Sequence, residues 1–188
     1  MIIEPLTLKH DRASFTCEEA ALTNYLRDWA IPEANRHLGQ THVLLRPGSL
    51  RVEGYYTLCA ASLSKDAIAD NKKLKYQSTP AVLIGRLARD LANKGKLHQG
   101  QTYGEILLLN ALQLAVEVQK NIAAAVVVVD AMSQHAEGFY KKYQFVDALG
   151  QEDRVYPRRL YLEMNTLLGW NLPPRRNTPD EQQPGPTL

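Results

Sequence analysis

Tyr140 and Tyr143 stand three residues apart in the stretch HAEGFYKKYQF. A phenol, with a reference pKa near ~10, keeps its proton at neutral pH and can donate it to a leaving group. Upstream, NKGKLHQGQTYG (residues 93–104) runs directly into GEILLLNALQLAVEVQ. A helix N-terminus offers unpaired amides and a partial positive charge, so a glycine-bearing loop in front of one can hold phosphate oxygens. Lys94 and Lys96 add charge to that loop. Gly85 interrupts the apolar run AVLIGRLA, where an interior glycine marks either a bulge approached closely by a ligand or a weak point in a strand. Asp90 follows; it can cap, pair with Arg86 or Arg89, or act as a base, and it reads as a solvated charge before it reads as a base. Residue types alone leave the bland readings standing, with the loop as a surface turn and Tyr140 as a core aromatic.

The elements that would position these residues follow from apolar patterning. Met1–Leu8 reads as a first strand, shortened or placed at an edge by Pro5. In FTCEEAALTNYLRDWA, Thr16 and Glu19 have capping-box spacing, and Leu22, Tyr25, Leu26 and Trp29 recur as on one helix face. Core packing is expected for Tyr25 and Trp29. Pro32 bends or ends this helix before EANRHL, which closes at Gly39. THVLL and RVEGYYTLCAASL flank the turn RPGS as two strands. AVLIGRLA is a third, and AAAVVVVDA a buried strand whose apolar residues do not alternate. Between these two lies the leucine-rich helix, buried on more than one face. Ser133 caps a short helix on which Ala136, Phe139, Tyr140 and Tyr143 share a face, and RRLYLEM is a final strand. Strands alternating with helices indicate an α/β domain with a mixed central sheet flanked by helices, spanning residues 1–168. Residues 169–188, rich in proline and polar side chains, are expected to form a disordered tail.

Length and composition exclude several classes. The 188 residues suffice for one well-buried core, and 45% apolar with 22% charged residues is ordinary for a globular protein. A net charge of +2 permits an anionic substrate but is far from that of a dedicated nucleic-acid binder. Cys17 and Cys59 have no metal or disulfide spacing, so reduced thiols and a cytoplasmic setting are expected, with no metal. No signal-peptide pattern or membrane-length apolar run is visible. The absence of GxGxxG after a first strand and of GxxxxGK[ST] argues against nicotinamide dinucleotide and P-loop sites.

The order and wording of the segments resemble the GNAT acetyltransferase superfamily, whose pyrophosphate loop reads Gln/Arg-x-x-Gly-x-Gly/Ala. Gln99, Gly100, Gln101, Thr102, Tyr103 and Gly104 are similar to that loop, with Thr102 where glycine is usual. A second registration starts the loop at Lys94, Gly95 and Lys96. Within the superfamily the chain resembles the toxin-like branch that acetylates aminoacyl-tRNA. The shared pieces are Phe15 to Cys17, Leu22 to Leu26, Gly54 to Leu58, Gly85 to Ala88, Val129 to Ala131 and Phe139 to Phe145. Each is weak alone; six in the right order are specific.

This resemblance implies a GNAT acyl-CoA acyltransferase fold with acetyl-CoA as co-substrate. It implies that Leu87, Ala88 and Arg89 present backbone groups to the pantetheine and acetyl carbonyl. Lys94, Gly95, Gln99, Gly100, Gln101, Thr102, Tyr103, Gly104 and Glu105 would hold the pyrophosphate. Tyr140 would be the general acid, with Tyr143 its rival. No base is evident, which favours an α-amine acceptor over a lysine, since an α-amino group with pKa near ~8 is already partly neutral. The implied acceptor is an aminoacyl-tRNA and the implied partners a ribbon-helix-helix antitoxin and a second copy of the chain. Arg27, Arg36, His37, Lys72, Lys73, Lys75, Lys141, Lys142, Arg158 and Arg159 could meet RNA phosphates or be scattered solubilising charges. Acetylation of a small-molecule or protein amine, and a non-catalytic CoA-binding or interaction module, are the alternatives.

Overall fold

Seven strands form one sheet, and the sequence accounts for most of them through short β-branched and aromatic runs. The computed structural model describes residues 1–69, 75–151, 153–170 and 172. β1 (Ile2–Pro5), β2 (Gln40–Leu45), β3 (Gly54–Ser64) and β4 (Ser78–Arg89) pair antiparallel in succession. A two-residue-per-strand hairpin, β5 (Leu97–His98) and β6 (Gln101–Thr102), leads into α3 (Tyr103–Asn121). β7 (Val126–Ala131) then returns parallel to β4, the handedness-constrained crossover that a long helix provides. α4 (Gln134–Lys141), β8 (Val146–Asp147), β9 (Arg158–Glu163) and α5 (Met164–Leu168) complete the order, with β9 antiparallel to both β7 and β8. The mixed sheet with flanking helices is the architecture expected from the sequence.

Helix α3 holds the main core because its apolar residues cover more than one face. Ile106, Leu107, Leu108, Ala111, Leu112 and Ala115 are buried against Tyr56, Leu58, Val82, Ile84, Val127 and Val129 of the sheet. Each leucine, isoleucine or valine of this layer contributes roughly 1.5–3 kcal/mol when fully buried, so the layer outweighs any single polar contact in the fold. The opposite sheet face carries a second cluster in which Phe15, Tyr25, Leu26 and Ala30 pack on Val43, Tyr55 and Ala88.

The N-terminal helical stretch departs from expectation. It comprises α1 (Ala20–Asn24), a wide π turn at Tyr25–Trp29 and α2 (Ala30–Asn35). Thr16 and Glu19 form no capping box: Glu19 is the N-cap without a side-chain cap bond, and the Thr23 hydroxyl instead accepts from the Cys17 amide at 3.0 Å. Pro32 has no amide to donate and its ring crowds the preceding turn, and the widened turn lies immediately before the helix that carries it. One consequence is rotational. Tyr25 stays buried, but Trp29, expected in the core, is 56% exposed because the extra residue in the turn carries it off the apolar stripe. The chain leaves α2 at His37 (φ 58°), before Gly39.

Trp170 and Leu172 pack against the α3 core. Asn171 and residues 173–188 of the stretch read as a tail lie outside the described residues. Among the described residues no helix is long and apolar enough to cross a membrane.

Candidate active site

Strand β4 changes partners along its length. Its parallel ladder with β7 runs only from Ala81↔Val126 to Ile84↔Val129. At Gly85 the β3 register slips, with Leu58 opposite Ile84 and Thr57 opposite Arg86, so Gly85 is the extra residue of a β-bulge. Beyond it, Arg86 to Arg89 pair with β3 alone. The strands therefore part, and one edge of β4 loses its ladder where the sequence placed Leu87, Ala88 and Arg89. Leu87 packs on the α3 core, Ala88 is buried in the N-terminal cluster, and Arg89 reaches Glu18 at 3.4 Å. Its Nη1 is buried and has no partner among the described residues, a cationic donor open to an anion.

After β4 the chain makes a short 3₁₀ turn at Leu91–Asn93 and enters the glycine-bearing loop. Lys94 Nζ lies 2.6 Å from Glu18 Oε1, and this bond, ahead of all other causes, holds the Glu18 carboxyl below its usual range. Gly95 sits at φ 70°, and Gln99 (φ 51°) and Gly100 (φ 79°) form the tip of the β5–β6 hairpin. Left-handed backbone at both central residues is what a two-residue hairpin turn demands. The six residues from Gln99 thus end at the helix, whereas Lys94, Gly95 and Lys96 precede the hairpin. Thr102 has a defined task where the family usually has glycine. It caps α3, its hydroxyl accepting from Glu105 N at 3.2 Å while the Glu105 carboxylate accepts from Thr102 N at 2.6 Å. Of the first-turn amides, those of Tyr103 and Gly104 are left without an acceptor among the described residues.

Helix α4 begins at Ser133, whose hydroxyl accepts from Ala136 N at 3.2 Å, as expected. Its far end is fixed by charge: Lys141 pairs with Glu137 and, at 2.7 Å, with Asp147, and the Tyr156 hydroxyl donates to Glu137 at 3.0 Å. Phe139 lies against the start of α3, 3.6 Å from where a Cβ on Gly104 would be. The two tyrosines then separate. Tyr143 donates its hydroxyl to Glu105 Oε1 at 2.8 Å, tying α4 to the α3 cap. Tyr140 is 8% exposed, flanked by the rings of Phe139 and Phe145 at 5.3 and 5.5 Å, and no described group bonds its hydroxyl. Burial pushes both phenols up, joined for Tyr143 by its bond to Glu105.

Asp90 is a cap, one of the readings the sequence offered, and not a solvated charge: its carboxylate caps the 3₁₀ turn at Leu91–Asn93. It is 1% exposed, accepts from Thr16 N at 3.2 Å and Ala92 N at 2.8 Å, and faces Arg51 rather than Arg86 or Arg89. Beside it the buried Glu53 accepts from Asn93 Nδ2 at 2.7 Å and pairs with Arg46 at 3.0 Å. This network pins the end of β4 to the loop that follows.

The basic residues also divide. Arg27 donates to the Phe15 carbonyl, Lys141 and Arg158 face Asp147, and Arg159 makes a bidentate pair with Asp130 at 2.8 Å for each bond. Arg36, His37, Lys75 and Lys142 are exposed. Lys72 and Lys73 lie outside the described residues. Sequence reading missed a polar group on the other side of the bulge, Tyr25, Glu33 and Arg86, in which Tyr25 donates to Glu33 and Arg86 lies over the Tyr25 ring. Its one sequence signal was Arg86 next to Gly85. Both cysteines are free thiols, and no cluster able to hold a metal ion occurs among the described residues.

No protein-family model matches the chain. A tRNA-acetylating toxin of Mycobacterium tuberculosis is 28% identical over 160 residues, 85% of this chain and 91% of that protein. Among solved structures, AtaT complexed with acetyl-methionyl-tRNAfMet superposes with a TM-score of 0.78 at 26% identity, covering 88% of this chain and 96% of that one. AtaT in a tyrosine-to-phenylalanine mutant, bound to the C-terminus of the antitoxin AtaR and acetyl-CoA, gives 0.70 at 25%, covering 88% and 94%. A KacT mutant gives 0.78 at 23% identity, covering 88% and 96%, a likeness of fold.

Proposed function

We infer that this chain, grouped by sequence and fold with the acetyltransferase toxins of the GNAT superfamily, moves acetyl from acetyl-CoA to the α-amino group of an aminoacyl-tRNA. The observation that carries the reading is the β4 edge from Arg86 to Arg89, which has no ladder with β7. Two others support it: the open amides of Tyr103 and Gly104 at the start of α3, against which Phe139 packs, and the hydroxyl of its neighbour Tyr140, bonded by no described group. The residues present fit acetyl-CoA. Backbone groups of Leu87, Ala88 and Arg89 offer a strand edge to the pantetheine amides and thioester. Tyr103 and Gly104 amides, with the Arg89 guanidinium and Lys94, meet the pyrophosphate. Thr102 and Glu105 shape that site by capping the helix, and Gln99, Gly100 and Gln101 with Gly95 give the loop its path.

In this reading Tyr140 supplies the proton that the departing thiolate needs. Burial raises its phenol, so it is protonated at neutral pH and its hydroxyl is committed to nothing else. Tyr143, bound to Glu105, is a positioning residue for α4. A blocked α-amine on charged tRNA would stop that tRNA from serving in translation, the action of a toxin. A protein antitoxin belongs to the same proposal, supported by the AtaT–AtaR complexes among its neighbours; its ribbon-helix-helix type and a homodimeric state are carried by the family resemblance alone. Co-expression with the adjacent open reading frame and light scattering of the purified chain test those two points.

The direct test is transfer of labelled acetyl to total charged tRNA, with deacylated tRNA as control. Label on charged tRNA alone, lost in Tyr140→Phe, is the expected result. Label on free amines or proteins but not on charged tRNA would replace the tRNA reading with a small-molecule or protein acetyltransferase. Absence of acetyl-CoA binding would leave only an interaction module.

A further inference from the structure

The proton acid and the phosphate loop leave unused the polar cluster on the other side of the bulge. Tyr25 donates to Glu33 Oε2 at 2.9 Å, Arg86 Nη1 lies 3.7 Å from the same oxygen, and the Arg86 guanidinium rests 3.5 Å above the Tyr25 ring. The hydrogen bond from the phenol and the charge of the guanidinium therefore both hold the carboxylate at Oε2. No described donor reaches Oε1, and the Glu33 side chain is 26% exposed. Arg86 directly follows the bulged Gly85, and Cys59 Sγ lies 4.0 Å from where a Gly85 Cβ would be. A cleft of about 290 Å³ opens from Cys59, lined by Ala34, His37, Leu38, Gln40, Leu58 and Ala60. The cleft and the carboxylate meet at the neighbouring residues Glu33 and Ala34, beside the bulge and the freed β4 edge.

We propose that this is the acceptor subsite: Glu33 Oε1 binds the α-ammonium of the aminoacyl group and takes one of its protons, and the cleft beside Cys59 receives the amino-acid side chain. The proposal rests on the acetyl-transfer reading above and supplies the base that the sequence did not reveal. A carboxylate whose rotamer is locked by two partners on one oxygen presents the other at little entropic cost. The lining mixes small and apolar residues with the polar His37 and Gln40, which fits a compact side chain better than a long charged one. The steps balance. One ammonium N–H bond breaks, its electron pair stays on nitrogen, and the proton passes to Glu33 and then to solvent. That pair forms the N–C bond to the acetyl carbon, and the C–S bond breaks with its pair on sulfur. Sulfur takes the Tyr140 proton, and the nitrogen returns its surplus proton to Tyr140. One ammonium and one thioester become one amide, one thiol and one released proton.

The charged and titratable groups facing Glu33 are Tyr25 from the π turn, Arg86 from β4 and Cys59 from β3, with His37 in the cleft. The experiment compares kcat/KM for charged tRNA in the full chain and in Glu33→Gln and Glu33→Asp from about pH 6 to 9. Glu33→Gln keeps an acceptor for Tyr25 but no charge. Its expected loss is roughly 10- to 100-fold near pH 6.5. That loss should shrink to about threefold near pH 9, where the α-amine is already neutral. Glu33→Asp should recover part of the rate at low pH, and acetyl-CoA affinity should be unchanged in both. Wild-type transfer with a loss that is absent, or constant across pH, or repaired by Gln rather than Asp, overturns the subsite alone. No wild-type transfer to charged tRNA overturns the acetyl-transfer reading and the subsite with it.

Discussion

Tyr140 and Tyr143 leave the same end of α4 with hydroxyls in different circumstances, and that difference assigns their roles. Removing the Tyr140 hydroxyl breaks no hydrogen bond among the described residues, so Tyr140→Phe should melt like the parent and bind acetyl-CoA with parental affinity. Its kcat should fall by about 10²–10⁴, the range for loss of a positioned proton donor. Tyr143→Phe should do the reverse. It loses a bond to the Glu105 carboxylate, at a cost of roughly 1.5–3 kcal/mol in urea unfolding, with kcat held within a few-fold. Swapped outcomes would make Tyr143 the acid. The sign of the Tyr140 shift gives a further check on pH dependence. A raised phenol keeps its proton above the ordinary value, so the alkaline fall of kcat should not begin until beyond about pH 10.

At the scale of elements, the start of α3 is a balance between helix capping and anion binding. Thr102 and Glu105 consume their own amides, leaving those of Tyr103 and Gly104. Thr102→Ala should cost about 1 kcal/mol of stability, as N-cap losses do, and weaken acetyl-CoA binding because the first turn frays. Glu105 adds a pH signature. Its carboxyl is lowered first by the Thr102 amide and, after an opposing burial effect, by Tyr143 and the Thr102 side chain. A depressed carboxyl contributes stability that is complete above its unfolded value near ~4.3 and is lost as pH falls through the folded value. The stability gap between the parent and Glu105→Gln, measured by urea melts, should therefore be constant at neutral pH and close below about pH 4.

These elements also show what the sequence could disclose. Gly85, Ser133 and the leucine-rich helix announced themselves because bulge, cap and amphipathic face are set by residues near one another in the chain. The cap at Asp90 was legible, but its burial was not, because its partners Thr16 and Arg51 are distant in sequence and only the folded sheet makes it a buried lock. Trp29 was misread because apolar spacing assumes 3.6 residues per turn and the π turn breaks that period. The β5–β6 hairpin is too short for any periodic signal, and Glu33 gains its interest only from standing opposite the bulge. Loop registration was the intermediate case: the helix start was legible, the hairpin that stands between Gly95 and Gly104 was not.

The whole molecule is two sheet halves joined by a narrow seam. β3 and β4 pair over eleven residues, while β4 and β7 share four, with α3 packed beneath both. A ligand lying along the freed β4 edge and reaching the α3 N-terminus would bind the folded state only, and would brace the molecule where its ladder is missing. At a hundredfold excess over Kd such a ligand adds about 2.7 kcal/mol, which for a domain of this size raises Tm by roughly 5–10 °C. Acetyl-CoA should give that shift in a melting experiment, and coenzyme A a comparable one, since the pyrophosphate and pantetheine contacts are common to both. Hydrogen exchange should slow at residues 85–89 and at Tyr103 and Gly104, while the paired strands β1 and β2, remote from the opening, keep their rates. A Tm shift accompanied by protection elsewhere would move the ligand off the seam. No shift at millimolar acetyl-CoA would mean that the opening between β4 and β7 is a feature of the sheet and not a binding site.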